Sequence, residues 1–232
     1  MDSAILVNLL LAHVVGDYYL QTDKLCARKE SLKLRSPFLY AHAAIIGLLS
    51  WAAVPMVDFL PYFIAITISH LAIDAVKVSI PKGGLWPFIA DQAAHLAVIV
   101  AAACMYTTSH VLPLQALSAS LPFSLSWLSL ALLLCWKPAN IFIKLILTQY
   151  QVGASDTCEE MKNAGALIGN LERTMTIVFV MLGRFEAIGF IIAAKSILRF
   201  KDTNTAKTEY VLAGTFLSFG IAILCGLLAT LR

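Results

Sequence analysis

Long apolar stretches alternate with short polar segments along this chain of 232 residues. Hydropathy predicts eight membrane-spanning helices, because each stretch approaches the length that a bilayer requires. The predicted spans cover residues 4–22, 37–56, 60–79, 86–108, 123–147, 165–183, 185–200 and 209–230. The pattern therefore predicts an all-α fold: a polytopic integral membrane helical bundle with about eight transmembrane helices.

The spans are predicted to form a single transmembrane domain, residues 1–232, made of two four-span halves. The first half, 1–108, contains most of the histidines, and the second, 123–232, contains a separate charged group. The segment 148–164 is polar enough to be predicted as an exposed loop.

Composition and charge support a multi-pass membrane protein. Hydrophobic residues make up 59% of the chain and charged residues only 13%, whereas soluble domains contain about a quarter charged residues. The first loop holds five basic residues between Lys24 and Arg35, and the second holds none. By the positive-inside rule, this alternation predicts cytoplasmic odd-numbered loops and both termini outside. The sequence contains no basic stretch with interleaved aromatic residues, the pattern that would indicate a nucleic-acid partner. Since a multi-pass membrane protein is predicted, membrane lipids are the expected partners.

The most informative polar residues are three pairs of one histidine and one aspartate inside apolar sequence. Residues four apart on an α-helix lie on one face, so each pair offers two ligands in one direction. Ionisable residues inside a membrane span are costly and usually functional. The pairs are His13/Asp17, His70/Asp74 and Asp91/His95.

The predicted topology gives the three pairs the same order of depth. Spans one and three run inward, so Asp17 and Asp74 are nearer the cytoplasm than their histidines. Span four runs outward, and there Asp91 precedes His95, which restores the order. The carboxylates are thus expected at one level and the imidazoles about 6 Å deeper. His42, one turn into span two, is expected near the carboxylates.

Imidazole and carboxylate ligands together predict a divalent metal, with Zn favoured and Mn or Fe possible. Seven candidate ligands are more than the four that one tetrahedral site needs. Either two metals bind, or some of these residues form hydrogen bonds to the ligands and orient them. Gln92 and Asp23 are further candidates for that supporting role. The competing interpretation is that these groups form hydrogen bonds between helices. The candidate metal ligands are His13, Asp17, His42, His70, Asp74, Asp91 and His95.

A second charged group lies in the C-terminal half. Glu172 and Arg173 fall in the inner half of predicted span six, and Lys195 and Arg199 lie near the inner end of span seven. Glu172 is a candidate ion-pair partner for Arg173 or Lys195. Lys195 and Arg199 lie one turn apart, and they either extend to the interface or bind an anionic, phosphate-bearing substrate.

Two sets of motifs resemble a bacterial inner-membrane family that is classed as a domain of unknown function. The first set is LLLAHVVGDYYLQTD (9–23), HLAIDAVK (70–77) and DQAAHL (91–96), and the second is the stretch 167–200, from LIGNLERT to EAIGFIIAAKSILRF. The resemblance implies a multi-pass protein of the bacterial cell inner membrane and supplies no activity. The HxxxD motifs within spans also resemble families of membrane-bound metal-dependent hydrolases.

The leading hypothesis is an intramembrane metal-dependent hydrolase that acts from the cytoplasmic face on a lipid or phosphoester. Asp17 or Asp91 is the candidate catalytic base, and Lys195 or Arg199 is the candidate group that holds the anion.

Two alternatives remain open at this stage. The first is a metal-ion or proton-coupled transporter, because His and Asp chains also serve ion paths. The second is a non-catalytic membrane component in which a structural metal joins four helices.

Overall fold

The computed structural model describes residues 3–80, 84–109, 123–152, 159–199 and 205–230. Regular structure in these ranges is entirely helical, which confirms the predicted all-α class. The chain divides into two compact units, Met1–Ser126 and Trp127–Arg232. This division falls near the boundary between the two predicted halves, and the single transmembrane domain stays a prediction.

Between residues 3 and 109, the described part of the first unit contains five α-helices and three shorter helical turns. A π-helical turn, Val15–Tyr19, continues α1, and 3₁₀ turns follow α2 (Lys33–Arg35) and precede α4 (Val57–Phe59). The helices are α1 Ser3–Val14, α2 Asp23–Leu32, α3 Pro37–Ala53, α4 Leu60–Ser79 and α5 Leu85–Ser109.

Four of these helices form a closed bundle. Helix α4 packs between α3 and α5, and α1 packs against both α3 and α5. A side chain added at Gly47 would collide with Thr67 on α4, and one added at Gly16 would collide with Ile46 on α3. Glycine at these two positions therefore allows helices to approach closely, as small residues do in membrane bundles.

The region predicted as the first cytoplasmic loop is a helix. Helix α2 is bent by 82° from α1, and the Thr22 hydroxyl accepts a hydrogen bond from the Leu25 N–H at its start. Most of the basic residues on α2 are exposed, but Lys29 is buried at 5% exposure. The bend therefore carries one lysine into the bundle.

The second unit contains most of α6 Phe123–Cys135, and all of α7 Lys137–Gln149, α8 Glu159–Met181, α9 Phe185–Arg199 and α10 Thr205–Thr230. Helix α10 packs against α8 and, less extensively, against α7 and α9. Pro138 follows the break at Trp136 between α6 and α7, as expected for a residue that lacks an N–H. Helix α8 begins at Glu159, so the prediction of an exposed loop to residue 164 was wrong at its C-terminal end.

Among the residues that the structure describes, four helical segments are long and apolar enough to cross a membrane. They are Val57–Ser79, Leu85–Ser109, Trp127–Gln149 and Thr208–Thr230. The bent pair formed by Ala4–Tyr19 and Asp23–Arg35 meets the same test when taken as one span, and Pro37–Ala53 is a shorter apolar helix. These segments indicate a membrane protein, whereas the count of eight spans stays a prediction.

Candidate metal centre

The π-helical turn in the first unit holds Asp17. The Leu20 N–H donates to the Val15 carbonyl at 3.0 Å, which is the wider spacing of a π-helix. Such turns are frequent at functional sites. Although the turn is wider than an α-helical one, His13 Nε2 still lies 3.8 Å from Asp17 Oδ2. The turn directs Asp17 toward the side chains of α3 and α4.

Three potential ligand atoms from three different elements form a compact triangle. His42 Nε2 lies 3.2 Å from Asp17 Oδ1 and 3.1 Å from His70 Nε2. The third edge, from His70 Nε2 to Asp17 Oδ1, is 3.4 Å. Tetrahedral Zn with bonds of about 2.0–2.1 Å places its ligand atoms about 3.3 Å apart. The triangle therefore has the dimensions of three ligands on one tetrahedral ion.

Asp74 lies beside this triangle. Its Oδ2 atom is 3.9 Å from both His42 Nε2 and His70 Nε2. The same oxygen accepts a hydrogen bond of 2.8 Å from the Lys29 ammonium group. Asp74 thus borders the triangle, and its partner Lys29 is a residue that the sequence did not single out.

Asp91 is held in a similar way on α5. Its Oδ2 atom accepts from Lys77 Nζ at 2.6 Å and from Gln92 Nε2 at 3.0 Å. Gln92 Nε2 also lies 3.4 Å from Asp17 Oδ2, and its carbonyl oxygen is 3.4 Å from His13 Nε2. Gln92 therefore connects three of the candidate ligands, which fits the supporting role predicted for it.

The imidazoles of His13, His70 and His95 form a layer next to the carboxylates. The ring centroids of His70 and His95 are 4.2 Å apart, and those of His13 and His95 are 5.2 Å apart. His95 Nδ1 lies 3.0 Å from the Asp91 backbone carbonyl. These three rings line a cavity of about 10 Å³ together with Ser50 and apolar side chains, and this volume is close to the space that one water molecule needs.

Several polar atoms of the cluster have no hydrogen-bond partner within the described part of the chain. His13 Nδ1, Asp91 Oδ1 and His95 Nε2 are buried and lack such a partner. Buried polar groups are nearly always satisfied, and each exception calls for an explanation such as an ion or an ordered water. An ordered water or an ion in contact with each of these atoms would satisfy it.

The structure brings all seven predicted ligands together in the first unit. Six of them are buried to 7% exposure or less, and the side chain of Asp17 is 10% exposed. Their ligand atoms form overlapping groups of three in which all distances are within 4.8 Å. Asp23, the other predicted supporting residue, is exposed at the start of α2. The groups are His13/Asp17/His70, His42/His70/Asp74 and Asp74/Asp91/His95.

The charged residues of the second unit form their own contacts. Lys195 Nζ donates to Glu172 Oε2 at 2.6 Å, so the ion pair considered for Glu172 forms with Lys195. Helix α9 ends at Arg199, and the side chain of Arg199 lies outside the described part of the structure. The prediction that Lys195 or Arg199 holds an anion stays a prediction.

Arg173 instead binds neutral oxygen atoms. It is 2% exposed, and its Nη1 atom donates to Ser218 Oγ at 2.8 Å. Its Nη2 atom donates to Asn140 at 2.6 Å and to Asn170 at 2.7 Å, while Nε donates to the Cys135 carbonyl. The carbonyl at the α6–α7 break is therefore satisfied by a side chain, as broken membrane helices require.

Fold and site together define an all-helical membrane protein with a buried His/Asp/Lys cluster. Residues 5–122 match the family DUF3307, described as a protein of unknown function. The match covers just over half of the chain and all seven candidate ligands, and the chain belongs to this family. No curated protein and no solved structure matches the chain. The stretch 167–200 lies outside the match, and the likeness to metal-dependent hydrolases stays a prediction.

Proposed function

We propose that the first unit is an intramembrane metal-dependent hydrolase that acts from the cytoplasmic face on a lipid or another phosphoester. The ion is divalent, with Zn preferred. The proposal includes the eight-span topology with both termini outside, in a bacterial inner membrane. The alternation of basic and uncharged loops supports that orientation.

One observation carries the proposal: the triangle formed by Asp17 Oδ1, His42 Nε2 and His70 Nε2, with edges of 3.1–3.4 Å. Hydrogen bonding alone explains this triangle poorly, because two neutral imidazoles and one carboxylate have too few protons to bridge all three edges. A single cation in contact with all three atoms satisfies them together. Two histidines and one carboxylate are also a familiar ligand set of catalytic zinc, which keeps a position open for water.

The remaining residues suit hydrolysis. Asp17, His42 and His70 would hold a divalent ion, which would supply a Lewis acid able to activate water as a nucleophile at neutral pH. Asp91 is the preferred base, because its Oδ1 atom is buried without a hydrogen-bond partner. Asp91 takes a proton from the attacking water, whose oxygen bonds to the phosphorus or acyl carbon. The ester bond to the leaving alcohol breaks, and the leaving oxygen takes up the proton.

A transporter needs a polar path that continues beyond the cluster. In the described part of the first unit, the histidine layer is followed by a largely apolar core that includes Ile46, Ile66 and Ile99. The cavity beside the histidines is lined by the same three isoleucines. These contacts favour a site that opens on one side, and therefore an enzyme.

The test is elemental analysis of the purified protein, followed by hydrolysis assays with phosphate esters and phospholipids. We expect about one Zn per wild-type chain, near-complete loss in His42→Ala/His70→Ala, and activity that follows the metal content. His110→Ala is the matched control, because His110 is not among the candidate ligands. A wild-type protein that binds no divalent metal on titration would refute the proposal.

A further inference from the structure

Lys29 and Lys77 form ion pairs with two carboxylates of the His/Asp cluster, Asp74 and Asp91. Lys29 Nζ is 2.8 Å from Asp74 Oδ2, the oxygen that lies 3.9 Å from both His42 Nε2 and His70 Nε2. Lys77 Nζ is 2.6 Å from Asp91 Oδ2. Asp74 and Asp91 belong to one group of ligand atoms that lie within 4.8 Å of one another. Both ammonium groups therefore bind neighbouring carboxylates of the same cluster.

The two lysines differ in how accessible they are. The side chain of Lys29 is 6% exposed, whereas the side chain of Lys77 is 41% exposed. Lys29 reaches the cluster from the bent helix α2, and Lys77 lies near the end of α4. Lys77 is therefore accessible to a ligand from outside the cluster, whereas Lys29 is enclosed.

A divalent ion at the triangle competes with these ammonium groups. Asp74 is the nearest additional carboxylate, and a lysine and a metal ion that share one carboxylate repel each other. A buried ammonium group that loses its carboxylate needs another anion, because an unpaired buried charge is strongly destabilising. Metal binding at the triangle thus creates a demand for negative charge at Lys29, and the partly exposed Lys77 supplies a second positive charge on the neighbouring carboxylate Asp91.

We propose that Lys29 and Lys77 form an anion-binding pair for a phosphate group, and that they exchange their carboxylates for phosphate oxygens when the metal binds. This inference rests on the proposed metal centre and assigns the substrate-holding role to the first unit. A phosphate group carries several acceptor oxygens, so it accommodates two ammonium groups beside one ion. The phosphate belongs either to a lipid headgroup or to a soluble phosphate ester.

The exchange predicts a thermodynamic linkage. If bound metal frees the lysines and thereby raises the affinity for phosphate by some factor, then bound phosphate must raise the affinity for metal by the same factor. The experiment measures the Zn dissociation constant by competition with a chelating dye at buffered free Zn, with and without millimolar inorganic phosphate. For the wild type, we expect phosphate to lower this constant about fivefold or more, within the usual range of coupling between sites.

Lys77→Met is the principal variant, because its partly exposed side chain makes misfolding less of a risk than at Lys29. Without phosphate, we expect it to bind Zn more tightly than the wild type, because a competing cation is gone. The effect of phosphate is expected to fall below about twofold, since one anion partner is missing. Lys29→Arg keeps the charge and should retain the linkage. Lys24→Met, an exposed lysine on the same helix, should behave as the wild type.

Protein in phosphatidylcholine nanodiscs, with or without phosphatidic acid, identifies the source of the phosphate. A larger shift with phosphatidic acid than with inorganic phosphate indicates a lipid headgroup, and the reverse indicates a soluble ester. Zn binding that is insensitive to both phosphate sources would overturn the lysine pair and leave the metal centre intact. Absence of Zn binding by both the wild type and Lys77→Met would overturn both proposals.

Discussion

His42 Nε2 and His70 Nε2 lie 3.1 Å apart although 28 residues separate them in the chain. The contact joins α3 to α4, which approach closely where Gly47 faces Thr67. Two imidazole nitrogens directed at each other and at Asp17 Oδ1 make the most specific feature of the cluster.

Asp17→Asn should weaken Zn binding by about 100-fold or more. Mutation of a residue that hydrogen-bonds to a metal ligand lowers metal affinity about 10–100-fold, and loss of a direct ligand should lower it further. The side-chain shape is preserved, so the fold should be retained. Competition with a chelating dye measures the dissociation constant. Asp23→Asn removes an exposed carboxylate six residues away and should change little. Equal effects of the two substitutions would contradict the ligand role of Asp17.

Asp91→Asn should lower kcat by about 10²–10⁴-fold, the usual contribution of a general base, while Zn content stays near the wild-type value. The amide oxygen can still accept the hydrogen bond from Lys77, so local structure should persist. Single-turnover kinetics and elemental analysis on the same preparation provide the two measurements. Asp58→Asn, an exposed position before α4, is the control. Zn loss in proportion to kcat would instead identify Asp91 as a ligand.

Lys29→Met should destabilise the metal-free protein by about 3–5 kcal/mol, because it leaves the Asp74 carboxylate buried and unpaired. Thermal unfolding in detergent measures the change. Lys29→Met/Asp74→Leu removes both charges and should recover most of the stability, since apolar replacement of a whole buried pair is often neutral. Failure of this double variant to recover would show that the ion pair is not the source of the loss.

Gly47→Val should lower stability by about 1–3 kcal/mol, the typical cost of overpacking, and should also weaken Zn binding. Both effects follow from separation of α3 and α4, which carry His42 and His70. The matched control is Gly189→Val on α9, where an added side chain meets nothing within 4 Å. A stability loss without any change in Zn affinity would contradict the proposed link between helix spacing and the ligand triangle.

Arg173→Met should destabilise the protein by about 2–3 kcal/mol, because the Cys135 carbonyl and neighbouring polar side chains lose a charged donor. Zn content should remain at the wild-type level, since none of the proposed ligands lies in the second unit. Thermal unfolding and elemental analysis test the two parts separately. A loss of Zn in this variant would contradict a centre formed by the first unit alone.

The positions of many helices could be predicted from hydropathy, because the stability of a helix in a membrane depends on the length of its apolar segment, which is a local property of the sequence. The predicted span 60–79 coincides with α4, and 86–108 lies within α5. Hydropathy did not predict helices in segments that are rich in polar residues. Residues 159–164 belong to α8, and the basic segment after span one forms α2. Charged side chains are compatible with a helix, so polarity alone did not identify a loop.

The candidate ligands were predictable for a similar reason. Histidine and aspartate four residues apart are conspicuous in apolar sequence, and the helical repeat places them on one face. Lys29 and Lys77 were not recognised as their partners, because basic residues next to spans are ordinary under the positive-inside rule. For Glu172, the sequence offered both Arg173 and Lys195, and the pairing with Lys195 depends on how α8 and α9 pack.

The sequence by itself determined the helical class, the apolar segments and the seven side chains of the cluster, because these depend on composition and short-range periodicity. Only the tertiary structure decided which atoms meet. The π-helical turn that directs Asp17, the bend that carries Lys29 into the bundle and the contact between His42 and His70 all depend on helix packing. Contacts between distant residues are set by the close packing of whole helices, so local sequence pattern does not specify them.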